Sequence, residues 1–74
     1  MQEKVNKREQ IDHNFTYHPP QAGQPEKYVQ IREAAKAFAH LIVELTPESR
    51  EQSLAITNLE QAVFWANASI ARYE

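Results

Sequence analysis

Seventy-four residues allow one domain with a marginal core, and a net charge of −2 argues against non-specific binding to long nucleic acid, which needs a basic surface. The absence of cysteine removes disulfides and thiolate metal sites, and a single glycine, Gly23, cannot build a glycine-rich phosphate loop. The start, MQEKVNKREQ, has no apolar stretch of signal-peptide type, and the longest apolar run, Leu41-Ile42-Val43, is cut by Glu44. No membrane association is expected, and a reducing, cytoplasmic setting fits.

In chain order, residues 1–14 are polar, and a short helix is expected over QEKVNKREQI. Residues 15–24, FTYHPPQAGQ, are expected to be extended, because Pro19 and Pro20 fix their own φ and restrict the residue before each of them. Residues 1–24 therefore form an N-terminal arm, and residues 25–74 an αα-hairpin. Pro25 suits a first helical turn. Tyr28, Ile31, Ala35, Phe38, Ile42 and Leu45 follow at spacings of three and four, the stripe of an amphipathic helix. Thr46-Pro47-Glu48-Ser49 ends that helix and opens the next, with Thr46 as cap and Pro47 in the first turn. Ile56, Leu59, Val63, Ala66, Ile70 and Tyr73 repeat the stripe. A turn this short makes the two helices antiparallel neighbours, so the expected fold is all-α.

Two helices cover only one seam each. Leu54 and Trp65 fall on the back of the second helix and Phe64 on its flank, an apolar surface of the kind that marks an interface. A helical homo-oligomer is the expectation. The competing arrangement is a monomer whose arm folds over Trp65.

Catalysis finds little support. His13, His18 and His40 show no ligand spacing such as HExxH, no serine has nucleophile context, and the single seam carboxylate Glu60 specifies no reaction. Neither an enzyme nor a metal or cofactor is expected. Binding is better supported. Arg32 and Lys36 are like charges at i,i+4, and Arg32 has no acidic residue at i±3 or i±4. A phosphate would offset that repulsion, and arginine offers it a planar fork; the plain alternative is an arginine lying along apolar surface. Asn67 interrupts the apolar side one heptad after Glu60, where it either sets register or lines a polar pocket. Tyr17, on its proline-stiffened arm, either stacks on a base or packs down on a helix. His18 beside it is carried as a candidate contact of the same arm.

FTYHPPQAGQPEKYVQIREAAKAFAHLI followed by PESREQSLAITNLEQAVFWANASIAR resembles the short phage proteins that carry an anti-CBASS and Thoeris anti-defence hairpin domain. The resemblance covers roughly residues 15–72, and its specific parts are YHPP, IRE, TPESRE and the LEQAVFWAN run into IAR. It implies a non-enzymatic sponge, a compact helical oligomer, typically a hexamer, that holds cyclic dinucleotide messengers between protomers. By position, Tyr17 matches the aromatic that stacks on a base and Arg32 the basic residue that holds phosphate, where many members carry lysine. The resemblance leaves a separate cyclic trinucleotide site open: where some members place an arginine, this chain reads WANASIAR, with Asn67 and then Arg72 a turn later. The alternative function is a structural or protein-interaction module in which the arm and Leu54/Trp65 bind a partner.

Overall fold

A computed structural model describes residues 6–74, which form three helices, α1 (Lys7–Asn14), α2 (Gln24–Leu45) and α3 (Arg50–Tyr73), with no strand among the described residues. Asn6 caps α1: its Oδ1 accepts the backbone N–H of Arg8 at 2.9 Å and of Glu9 at 3.3 Å. The expected short helix is found, but shifted. Residues 2–5 lie outside the described residues, and α1 runs on to Asn14 rather than stopping at Ile11.

Gly23 opens α2 with φ 86, the left-handed region that L side chains rarely adopt. A Cβ there would meet nothing within 4 Å, so dihedral angle rather than crowding selects glycine. Gln24 is already helical, one residue earlier than the proline suggested, and Pro25 lies in the first turn, where its missing N–H is no loss.

The α2–α3 turn departs from expectation in one detail. Thr46 is the C-cap of α2, with its N–H and Oγ1 both donating to Ile42 O, and Ser49 is the N-cap of α3, its Oγ accepting Gln52 N at 3.1 Å. The threonine precedes Pro47, which drives it to an extended φ of −123, and the proline lies ahead of the helix rather than in its first turn. Gln52 then ties the junction by donating to both the carbonyl and the hydroxyl of Thr46.

At the far end Gln24 bonds Ile70 and Lys27 pairs with Glu74, so the start of α2 meets the end of α3 and the helices are antiparallel. The hairpin is thus found as expected. Its seam is narrower than the periodicity implied. Tyr28, Ile31, Ala35, Ala39 and Ile42 of α2 face Ile56, Leu59, Val63, Ala66, Asn67 and Ile70 of α3, all half-buried. Phe38 and Leu45, placed on the stripe by spacing, are 53% and 73% exposed, and Ala39 takes the seam position instead. Tyr73 is also largely exposed, its ring engaged by the arm.

Among the described residues no apolar side chain is fully buried. The Cα radius of gyration is 16.0 Å, against about 11 Å for a compact chain of this length. The accessible surface is 6484 Å², some ~1,800 Å² above the scaling for a folded monomer of this mass. The chain is an open, elongated hairpin whose two faces beside the seam stay partly wet.

Candidate functional site

The two faces are grooves on either side of the seam. The first is walled by Arg32 and Lys36 on α2 and by Glu60 and Phe64 on α3, over a floor that includes Ala35, Leu59 and Val63. Helical geometry explains the grouping: at 100° per residue, Arg32 and Lys36 lie on one flank of the seam, as do Glu60 and Phe64 on the facing helix. The groove encloses about 460 Å³ and is open along its length. The second groove carries no charge; Ile31, Ala34, Phe38, Ala62 and Ala66 wall it above the same three floor residues.

Among the described residues the one ion pair is Lys27–Glu74, at 2.7 Å. Among the described residues Arg32 and Lys36 have no carboxylate partner, even with Glu60 on the opposite wall. Counting these three, the groove carries one net positive charge over an apolar floor. Two cations held together without a counter-ion suit a bound anion.

Asn67 lies on the same flank as Glu60, one heptad on. Its Oδ1 is buried and accepts no hydrogen bond, a costly state for an amide oxygen. Phe64, a wall of the charged groove, is also part of an outer apolar surface with Gln61, Trp65 and Ala68. Phe64 is 68% and Trp65 69% exposed.

The arm does not lie over Trp65. Among the described residues it folds back onto the last turn of α3, and Trp65 is left 69% exposed, so the packing of arm over Trp65 weighed from the sequence is not found there. Gln10 Nε2 donates to the Tyr73 hydroxyl at 3.1 Å, and His13 Nε2 donates to Arg72 O. The His13 ring lies 4.8 Å from that of Tyr73 and 4.5 Å from that of His18. His18 in turn donates from Nε2 to His13 O at 2.8 Å. Its candidate role as a ligand contact therefore competes with a bond that fixes the arm. Gln24 completes the attachment, accepting Gln21 N through Oε1 and donating to Ile70 O through Nε2.

Tyr17 is held at 80% exposure between Thr16, bonded back to Asp12 O, and the anchored His18. Phe15, two residues earlier in the arm, is 87% exposed. Of the sequence candidates, then, Arg32 and Lys36 share a groove, Asn67 lies on its flank, and Tyr17 and His18 belong to the arm. The sequence offered little warning of His13 and Gln24, whose polar side chains read as surface. Gln24's one signal is its place between the lone glycine and Pro25.

Among the described residues no three His, Asp or Glu side chains converge as a metal site, and no helix is long and apolar enough to cross a membrane. Neither curated proteins nor solved structures include a significant match to the chain. The family model for the Acb2/Tad1 hairpin domain matches residues 7–71, a span that takes in α1, the arm and nearly all of the hairpin. The chain belongs to the Acb2/Tad1 hairpin-domain family, the anti-CBASS and anti-Thoeris sponges.

Proposed function

We propose that this protein sequesters cyclic dinucleotide second messengers of bacterial immunity, without cleaving them, as a homo-oligomer in the cytoplasm of the infected cell. The observation that carries the proposal is the unpaired Arg32–Lys36 wall, set over apolar floor in a member of a sponge family. A cyclic dinucleotide carries two phosphates and two base faces. One open groove leaves such a ligand half-wet, whereas ligand sites normally bury about 70–90% of their occupant. Two grooves related by a twofold axis would enclose a ring that is itself twofold or nearly so. Their combined net charge, one positive from each protomer, balances the two phosphates. Tyr17 supplies the stacking surface and Arg32 the phosphate fork, with Lys36 as a second cation and Asn67 Oδ1 as an unsatisfied acceptor near the site. A trinucleotide would occupy a separate site, and the Asn67–Arg72 region of α3 is the place to look for one.

Assembly is supported by surface area. A standard interface buries about 800 Å² per partner, so an excess of ~1,800 Å² corresponds to roughly two interfaces per protomer. A closed ring or a hexamer satisfies that requirement, as would a dimer with one interface of obligate size.

Calorimetric titration against a panel of cyclic di- and trinucleotides tests the proposal, followed by heat denaturation and chromatography of the released nucleotide. A sponge binds and returns intact ligand. Returned product would mean an enzyme. Failure to bind any member of the panel would leave the exposed Leu54, Phe64 and Trp65 as the surface of a protein-interaction module.

A further inference from the structure

We infer that Gln24 is a positioning residue for the ligand-stacking aromatic, holding the Tyr17 arm in its binding geometry by a buried amide bridge to the end of α3. The inference rests on the role proposed for Tyr17. Among the described residues Gln24 alone is fully buried, at 2% exposure, in a protomer whose apolar side chains are all partly wet. Burying a neutral amide is unfavourable unless its polar atoms are paired. Here both ends are paired, and each pairs with a different element: Oε1 accepts Gln21 N of the arm at 2.9 Å, and Nε2 donates to Ile70 O of α3 at 3.2 Å. The side chain therefore clamps the arm to the last turn of α3. Gly23 makes this possible. Its left-handed φ of 86 turns the chain so that Gln21 N comes back over the first residue of α2.

The bridge closes the free side of the arm. On the other side, His13 and His18 already hold the segment before the prolines to Arg72 O and His13 O. Tyr17 lies between these attachments, with its ring left in solvent. A ring presented this way loses little backbone freedom when a base stacks on it, and that saving appears directly as affinity. Without the Gln24 bridge the prolines would still be stiff, but the stiff unit would swing as a body.

The test is a double-mutant cycle on the full-length protein, read as the Kd for cyclic di-AMP, cyclic di-GMP and the mixed adenine–guanine ring. Gln24→Met keeps side-chain volume and removes both hydrogen bonds; circular dichroism and light scattering establish that helices and assembly persist. If that variant does not fold, Gln21→Pro removes the arm's N–H donor from an exposed position and leaves Gln24 and its bond to Ile70 in place. The wild-type background should show a rise in Kd of about tenfold, part of the roughly 30-fold worth of two ordinary hydrogen bonds, because both bonds are internal and act only by holding the arm in place. In a Tyr17→Ala background the same change should move Kd by less than about twofold, because the residue acts through the ring. Hydrogen exchange at the Gln21 amide should be slow in the wild type and fast in Gln24→Met. Equal fold-changes in the two backgrounds would overturn the inference, as would wild-type affinity in Gln24→Met. A wild-type protein that binds no cyclic dinucleotide would instead overturn the sponge function itself, and the positioning role with it.

Discussion

Replacing Trp65 by glutamate tests the proposed assembly most directly. Trp65 is 69% exposed on the back of α3, away from the seam. Of the roughly 250 Å² that a tryptophan can bury, about 170 Å² remains wet in the protomer. At about 25 cal/mol per Å² that area corresponds to ~4 kcal/mol per protomer, an upper limit because no interface covers a ring completely. Glutamate forfeits the apolar gain and adds a carboxylate that must stay solvated. A loss of at least ~2 kcal/mol per contact weakens association about 30-fold or more. Sedimentation velocity and light scattering over the micromolar range should show wild-type oligomer and Trp65→Glu shifted toward the 8.6 kDa protomer. Helicity should stay close to wild type if the hairpin survives alone, since the substituted side chain does not enter the seam. A variant that matches the wild-type mass at every concentration would refute the reasoning, because the outer face of α3 would then lie outside the assembly.

Four further outcomes are expected. Arg32→Glu should abolish cyclic dinucleotide binding with the helices intact, at a cost of about 2–5 kcal/mol or more; undiminished affinity would move the phosphate role to Lys27 or Lys36. Tyr17→Ala should weaken binding by about 1–3 kcal/mol per stacked base while Tyr17→Phe stays mild, and a lower melting temperature at full affinity would show that the ring is only structural. Glu60→Gln removes the acid from the charged groove and should tighten binding severalfold, since an unscreened carboxylate ~8 Å from a phosphate costs about 1 kcal/mol at a dielectric between protein surface and water; weaker binding would mean that Glu60 itself contacts the ligand. Ser49→Ala should cost about 1 kcal/mol of stability as a lost N-cap, and a larger thermal shift from Thr46→Ala would reverse the cap assignment.

The hairpin was legible because its two stripes are long and their spacing is helical throughout. The edges were not. Phe38 and Leu45 obey the period yet stay wet, because a pair of helices covers a narrower strip than a wheel suggests, and only a third neighbour can cover the rest. The sequence pointed to Thr46 as the cap of the second helix, but Thr46 closes α2 and Ser49, three residues nearer, accepts Gln52 N and opens α3. Arg32 stood out in the sequence through what it lacked, an acidic residue at i±3 or i±4, and among the described residues it forms no ion pair. The attachment of the arm stayed hidden because it is made of histidine and glutamine, residues whose usual place is the surface. Their partners are carbonyls at the far end of the chain, and no local pattern signals a bond between His13 and Arg72.

The two grooves share a partition one side chain thick. Ala35, Leu59 and Val63 are the floor of both, so a change at any of them reshapes two surfaces at once. Trimming Val63 deepens the charged side and the uncharged side together, and enlarging Ala35 fills both. The rims are separate: Arg32, Lys36 and Glu60 belong to one face, Phe38, Ala62 and Ala66 to the other. Variation at the rims can therefore reshape one face and leave the other as it was, whereas drift in the partition alters both in the same step. Under the proposed function, a change of ligand preference is best sought at the charged rim, with those three positions left alone.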